Sequence, residues 1–96
     1  MHDWTLLSIT VNWKVGEGVL ELVSPVGPAI LRAHEIQEIR VPRAFPWGPS
    51  VSVNSVHGPT QGPNGISSFK IEMQSGDTIE IIAKSIDLPA GARKPS

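Results

Sequence analysis

A proline-rich segment carries the side chains best suited to binding. Arg43, Phe45, Trp47 and Ser50 lie within residues 42–50, a stretch that holds three of the chain's nine prolines. Proline fixes φ and removes backbone donors, so this segment is predicted to be a stiff loop. Rigid aromatic side chains contribute most to an interface when their ordering cost is already met. The sequence therefore predicts a binding surface here, with the alternative that Trp47 folds back and caps an open end of the core.

Glu72 and Glu80 are the candidates for acid/base or metal chemistry. They fall on the polar faces of two strands joined by a turn at residues 75–77. With a three-residue turn the two carboxylates oppose each other, and like charges in that position destabilise a sheet unless a cation or a proton intervenes. A five-residue loop would instead place Lys70 opposite Glu80 and remove the clash.

The histidines lack the spacing of a local metal site. His2, His34 and His57 are too far apart to share one face of a helix or strand. His34 and His57 are therefore only weak candidates for metal ligands. A metal site would require the fold to bring them together with Glu72 and Glu80. The chain has no cysteine, which excludes a thiolate zinc site, an iron–sulfur cluster and a cysteine nucleophile. No cofactor is predicted.

Composition narrows the class of partner. The 96 residues carry 8 Lys+Arg against 9 Asp+Glu, so the charge that duplex nucleic acid requires is missing. No run approaches the roughly 20 apolar residues of a membrane span. The first residues include an acid where a secretory signal would be basic, so a cytoplasmic protein is expected.

Alternation of apolar and polar residues predicts strands. Residues 7–13 alternate, a turn follows at 14–18, and 19–23 return as a hairpin. A second hairpin is predicted from Phe69 to Ile81. A further strand is predicted to begin near Val51, with either a bulge or the end of the strand near residue 55. The predicted core is Leu7, Ile9, Val11, Trp13, Leu20, Leu22, Ile39, Val41, Val51, Val53, Phe69, Ile71, Met73, Ile79 and Ile81.

Two segments are harder to interpret. Residues 29–41 favour a strand, a turn and a second strand, with a single helical turn as the alternative. Residues 58–65 are rich in glycine and proline and are predicted to be a surface loop.

The fold class that follows is all-β. We expect a single antiparallel meander of about six to eight strands that curls into a small barrel or sandwich, with at most one short helical turn. The domain should span residues 1–89, and residues 90–96 should form a flexible tail.

Two short segments resemble a group of small uncharacterised bacterial all-β proteins. The first is Pro46-Trp47-Gly48-Pro49-Ser50, which leads into residues 51–54, and the second is the hairpin Met73-Gln74-Ser75-Gly76-Asp77 with the two residues before it. The resemblance covers about half the chain. It implies a bacterial source and no particular activity.

The function predicted from sequence is a small non-enzymatic binding or protein-interaction module. Its surface would be the loop at 42–50, or an exposed strand edge that pairs with a protein partner or a second copy. One alternative is a small metal-dependent or acid/base enzyme that uses Glu72, Glu80 and a histidine. Another is an inhibitor or immunity-type protein.

Overall fold

The chain forms one six-stranded antiparallel sheet. The structure, a computed structural model, describes residues 1–43 and 51–89. The strand order is β1-β2-β3-β6-β5-β4. The strands are β1 (Thr5–Asn12), β2 (Glu17–Ser24), β3 (Gly27–Arg40), β4 (Val53–Gln61), β5 (Ser67–Met73) and β6 (Thr78–Asp87). The all-β prediction is confirmed, while the predicted tail at 90–96 lies outside the described residues.

No helix in the described part of the chain is long and apolar enough to span a membrane.

The sheet is built from two similar halves. Strands β1, β2 and β3 form one meander of neighbouring antiparallel strands, and β4, β5 and β6 form the other. The halves join where β3 pairs with β6. Exchanging β1 with β4, β2 with β5 and β3 with β6 reproduces the same strand order, so the topology has a pseudo-two-fold axis between β3 and β6.

Strand β3 serves both halves because it changes direction in its middle. Its first part, up to Ala33, pairs with β2, and its second part, from Arg32 to Arg40, pairs with β6. Between them Glu35 has a φ of 52°, a left-handed conformation that is uncommon for a residue with a side chain. A register shift follows between Ile36 and Glu38. The prediction of two strands separated by a turn, and its helical alternative, are therefore wrong for this segment: the irregularity is a bend within one strand.

The curled sheet meets itself at one corner without closing into a barrel. Residues before and at the start of β1 lie beside the residues that lead into β4, with Thr5 and Ser52 as an isolated bridge pair. The Val53 N–H donates to the Trp4 carbonyl at 2.8 Å, and the Asp3 N–H donates to the Val53 carbonyl at 2.8 Å. Beyond this corner, the described parts of β1 and β4 have no pairing with each other.

A single hydrophobic core fills the inside of the curl. Its most deeply buried members come from both meanders, which is why the halves cannot separate without exposing apolar surface to water. The fully buried large side chains are Leu20, Leu22, Leu31, Val53, Phe69, Ile71 and Ile81. The sequence analysis placed all of these in the core except Leu31, and it also missed the buried side chain of Trp4.

The predicted core is wrong at five positions, three of them in the first hairpin. A bulge between Leu6 and Ser8 shifts the alternation of β1, so Leu6 packs on the core while Leu7 is 61% exposed. Trp13 falls beyond the end of β1, in the turn, and is 92% exposed. The remaining positions, Val11, Val41 and Val51, are exposed because they lie near strand ends or outside strands.

The loop predicted at 58–65 is shorter than expected. Strand β4 continues to Gln61, and it absorbs Gly58 and Pro59 at a second register shift between His57 and Thr60. The bulge predicted near residue 55 is confirmed by a shift between Val53 and Ser55.

The two described tryptophans should differ sharply in their effect on stability. Trp4→Ala should lower the free energy of unfolding by about 3–5 kcal/mol, since it empties a buried aromatic site. Trp13→Ala should change it by less than about 0.5 kcal/mol, because that side chain is already in water. Urea denaturation of both variants tests this, and a large loss for Trp13→Ala would contradict the exposed position.

Candidate functional site: the β1 edge and its groove

The binding loop predicted from sequence is only partly visible in the structure. Phe45, Trp47 and Ser50 lie outside the described residues, so their predicted role stays a prediction. Arg43 is described: it is exposed and lies at the rim of an apolar groove beside β1.

Strand β1 presents unpaired backbone groups along its outer edge. At its start the Leu6 N–H points away from β2, since it donates to the Val51 carbonyl at 2.8 Å. At its end the Asn12 carbonyl points toward β2, where it accepts from the Gly16 N–H at 2.9 Å. Backbone groups in a strand alternate in direction, and the bulge after Leu6 resets the phase. The N–H and C=O groups of Ile9 and Val11 therefore point outward, and no described residue outside the strand pairs with them.

Beyond its single bulge at Leu7, this edge lacks the features that usually protect an edge strand. From Thr5 to Asn12, β1 contains no charged residue, no proline and no glycine. Natural edges are commonly blocked by such residues, because an open edge is a template for another strand. The most exposed apolar side chains nearby are those of Leu7, Trp13 and Val15, and Val15 is 58% exposed.

A groove of about 310 Å³ runs beside the first half of β1. One wall is the strand itself, and the opposite wall is formed by the end of β3 and by the turn between β5 and β6. The apolar lining side chains are Leu6, Leu7, Ile9, Val41, Val51, Met73 and Ile79. The groove is thus an apolar cleft parallel to a row of backbone donors and acceptors.

The other edge strand, β4, is protected. Two register shifts interrupt its pairing with β5. Pro59 has no N–H to offer, and Gly58 has a φ of 100°. A Cβ placed on Gly58 would lie 2.6 Å from the Ser68 carbonyl oxygen, so the backbone there is packed too closely for a side chain. The irregular backbone makes β4 a poor template, and β1 is the open edge of this sheet.

The predicted opposition of Glu72 and Glu80 is wrong. In the β5–β6 hairpin Glu80 pairs with Lys70, as the alternative register predicted, and Glu72 pairs with Thr78. Residues 74–77 connect the strands, and the Met73 N–H donates to the Asp77 carbonyl at 2.8 Å. The Lys70 Nζ lies 3.7 Å from the Glu80 Oε2. Opposite charges now face each other, so the register removes the repulsion that a turn placed at residues 75–77 would create.

A second, wider groove of about 1130 Å³ covers the polar face of these strands. Its floor includes a cross-strand row in which Arg40 pairs with Glu80, Glu80 with Lys70, and Lys70 with His57. The other acid in this groove, Glu72, accepts a hydrogen bond from the Asn54 Nδ2 at 2.6 Å. Both carboxylates are therefore engaged by neighbouring side chains, as in an ordinary solvated sheet face.

His34 lies elsewhere, on the outer surface of β3. Its Nε2 is 2.8 Å from the Asp87 Oδ2, and its Nδ1 is 3.9 Å from the Glu17 Oε2. Arg32 also contacts Glu17, at 3.4 Å. The fold therefore separates His34 from the groove that holds His57, Glu72 and Glu80. In residues 1–43 and 51–89 no group of three His, Asp or Glu side chains is placed to hold a metal ion.

Comparison with protein families, curated proteins and solved structures finds no match. The resemblance of two segments to small bacterial all-β proteins stays a prediction.

The sequence analysis missed the β1 edge as a specific site, although one signal was present. The run Thr5–Asn12 is the one strand of the six without a charged residue, proline, glycine or histidine. Trp13 comes directly before Lys14 and close to Gly16, residues that are typical of a turn. The exposure of the Trp13 side chain could therefore also have been predicted from the sequence. Which strand forms an edge depends on the order of strands in space, which the pattern alone does not give.

Reversing one charge in the cross-strand row tests the register. Lys70→Glu should lower the free energy of unfolding by about 1 kcal/mol at low salt, because it places two acids opposite each other. The loss should shrink at high salt, since these side chains are partly exposed and screened.

The matched control for that variant is Lys14→Glu, which makes the same charge change in the β1–β2 turn. No acidic side chain in the described chain lies within ion-pair distance of Lys14. Equal salt-dependent losses in both variants, measured by urea denaturation, would contradict the Lys70–Glu80 pairing.

Proposed function

We propose that the protein is a small non-enzymatic interaction module that binds an extended protein segment along the open edge of β1. The observation that carries the proposal is the open edge itself: an uncharged strand whose backbone groups at Ile9 and Val11 point outward beside an apolar groove.

Main-chain pairing would supply the affinity. In recognition by strand addition, the partner's backbone forms hydrogen bonds with the free edge, whatever its side chains are. Ile9 and Val11 each offer one donor and one acceptor on the outward side, spaced as a strand requires. Both residues pair with β2, and the Ile9 side chain packs on the core, so little ordering of the backbone is needed when a partner arrives.

The groove would supply the specificity. Alternate side chains of an added strand point to one face, where pockets can select them. Here that face meets the groove lined by Ile9, Met73 and Ile79, which favours apolar side chains at alternate positions of the ligand. Arg43 at the rim would favour an acidic group beside them.

Exposed apolar groups near the edge would act as anchors. Trp13 offers a large rigid ring at one end of β1, and Leu7 lies near the other end. Aromatic side chains of this kind are common among the residues that dominate binding energy. Phe45 and Trp47 are predicted from the sequence as further anchors.

The enzyme alternative receives no support from the described residues. Glu72 and Glu80 belong to different cross-strand pairs, and the histidine that lines the same groove, His57, pairs with Lys70. The inhibitor or immunity-type alternative is a special case of protein binding and would use the same surface.

Selection from a displayed library of random extended peptides tests the proposal. Binders should carry apolar residues at alternate positions. Val11→Pro should weaken their binding at least about tenfold, because it removes an outward N–H and puts a ring in the path of the partner. Edge strands tolerate proline where the N–H faces solvent, so the hairpin should remain folded by circular dichroism.

Val11→Ala is the matched control, since it trims the side chain and keeps the N–H. It should weaken binding by no more than about threefold, less than one net hydrogen bond is worth. Amide exchange gives a second readout, in which the Ile9 and Val11 N–H groups become protected on binding. Binding that is insensitive to Val11→Pro and leaves these amides unprotected would contradict the proposal.

A further inference from the structure

We infer that the β1 edge binds a second copy of this chain, with the two β1 strands antiparallel around a two-fold axis at Thr10. The inference rests on the proposed function, since it needs the β1 edge to accept a strand. It adds the identity of the partner and the register of pairing.

Charge favours a second copy over an unrelated partner. A two-fold interface brings each residue next to the same surface of the other subunit, so any charge near the axis meets its own kind. Strand β1 carries no charge from Thr5 to Asn12, and along the chain the nearest charged residues are Asp3 and Lys14. The acid that contacts β1, Glu21 through the Ser8 hydroxyl, lies on β2, on the side away from the open edge. The strand can therefore pair with itself without like-charge repulsion, as few edges can.

The direction of the backbone groups selects the register. Outward-pointing residues of one strand must exchange hydrogen bonds with outward-pointing residues of the other. Placing Thr10 opposite Thr10 of the second copy pairs Ile9 with Val11 in both directions. The outward-pointing N–H and C=O groups of both residues are then hydrogen-bonded to the second copy.

The same register covers the exposed apolar side chains. It places Leu7 of one copy across from the turn that carries Trp13 of the other, and the two-fold axis repeats that contact. Leu7 and Trp13 are 61% and 92% exposed in the single chain. Their burial would remove apolar surface from water at both ends of the paired strands.

The other edge explains why the assembly stops at two. A head-to-tail chain of molecules would need β1 of one copy to pair with β4 of the next. Strand β4 is interrupted at Gly58 and Pro59 and by two register shifts, so it cannot continue such an array. Pairing of β1 with β1 uses the open edge of each copy and closes the dimer.

Sedimentation velocity over a concentration series tests the dimer. The full chain should show a concentration-dependent dimer. Thr10→Lys should weaken self-association at least about tenfold, because it places two ammonium groups together at the axis. The matched control is Thr60→Lys, which changes an equally exposed threonine on the protected edge β4 and should leave the dimer intact.

Single cysteines test the register in the same protein. The chain has no native cysteine, so Thr10→Cys introduces the one thiol. Residues opposed without mutual hydrogen bonds in antiparallel strands have Cα atoms about 4.5 Å apart. That spacing falls within the about 4.4–6.8 Å range of a disulfide. Thr10→Cys should therefore form a disulfide-linked dimer on mild oxidation, and Thr60→Cys should not.

The outcomes separate this inference from the proposed function. A chain that is monomeric at all concentrations yet binds selected peptides in a Val11-dependent way overturns the second copy as partner and keeps the strand-binding function. A dimer that ignores Thr10→Lys and gives no Thr10→Cys cross-link uses another surface and also overturns the inference. A monomer that binds no peptide overturns both.

Discussion

At Glu35 the longest strand of the sheet changes direction, and the shared core depends on that change. A straight fourteen-residue strand would carry β2 and β6 in one flat layer and leave its apolar face exposed to water. The left-handed backbone at Glu35 and the register shift after it let β3 turn away from β2 and continue along β6. The Ile36 N–H, which donates to the Gly16 carbonyl at 2.8 Å, fixes the first meander to this bend. Leu31 before the bend and Ile81 opposite its far arm can then pack in one core.

The bend also brings one end of each edge strand together, while the remaining lengths of the two edges differ in structure. It brings the start of β1 beside the start of β4, where Trp4 and Val53 hold the corner. After its bulge at Leu7, β1 continues with a regular backbone and no charged side chain, whereas β4 is irregular at Gly58 and Pro59. The chain thus protects one edge by distortion and leaves the other suited to pairing. The distortion of β4 is a property of its backbone, whereas the open edge of β1 also depends on the absence of charged side chains.

Much of this architecture was predictable from the residues, and the failures have identifiable physical causes. The alternation of apolar and polar residues predicted both hairpins and most of the core, because the apolar residues of a strand lie on its buried face. It failed at Leu7, where one extra residue in a bulge reverses the phase without any change in composition. It failed at Trp13, since the pattern continues into a turn. The open edge could not be predicted because it depends on β3 pairing with β6, a contact between residues distant in the chain.

The arrangement of two consecutive meanders has a consequence for synthesis on the ribosome. Strands β1 to β3 are complete when residue 40 emerges, but β6, which must cover the far arm of β3, ends at residue 87. At about 5–20 residues per second, those 47 residues take roughly two to nine seconds. During that interval Leu20, Leu22 and Leu31 have no opposing layer, and the far arm of β3 is itself an unpaired edge. The nascent chain is therefore most vulnerable to wrong pairing while residues 41–87 are being translated, and slowing elongation over that stretch would prolong the exposure.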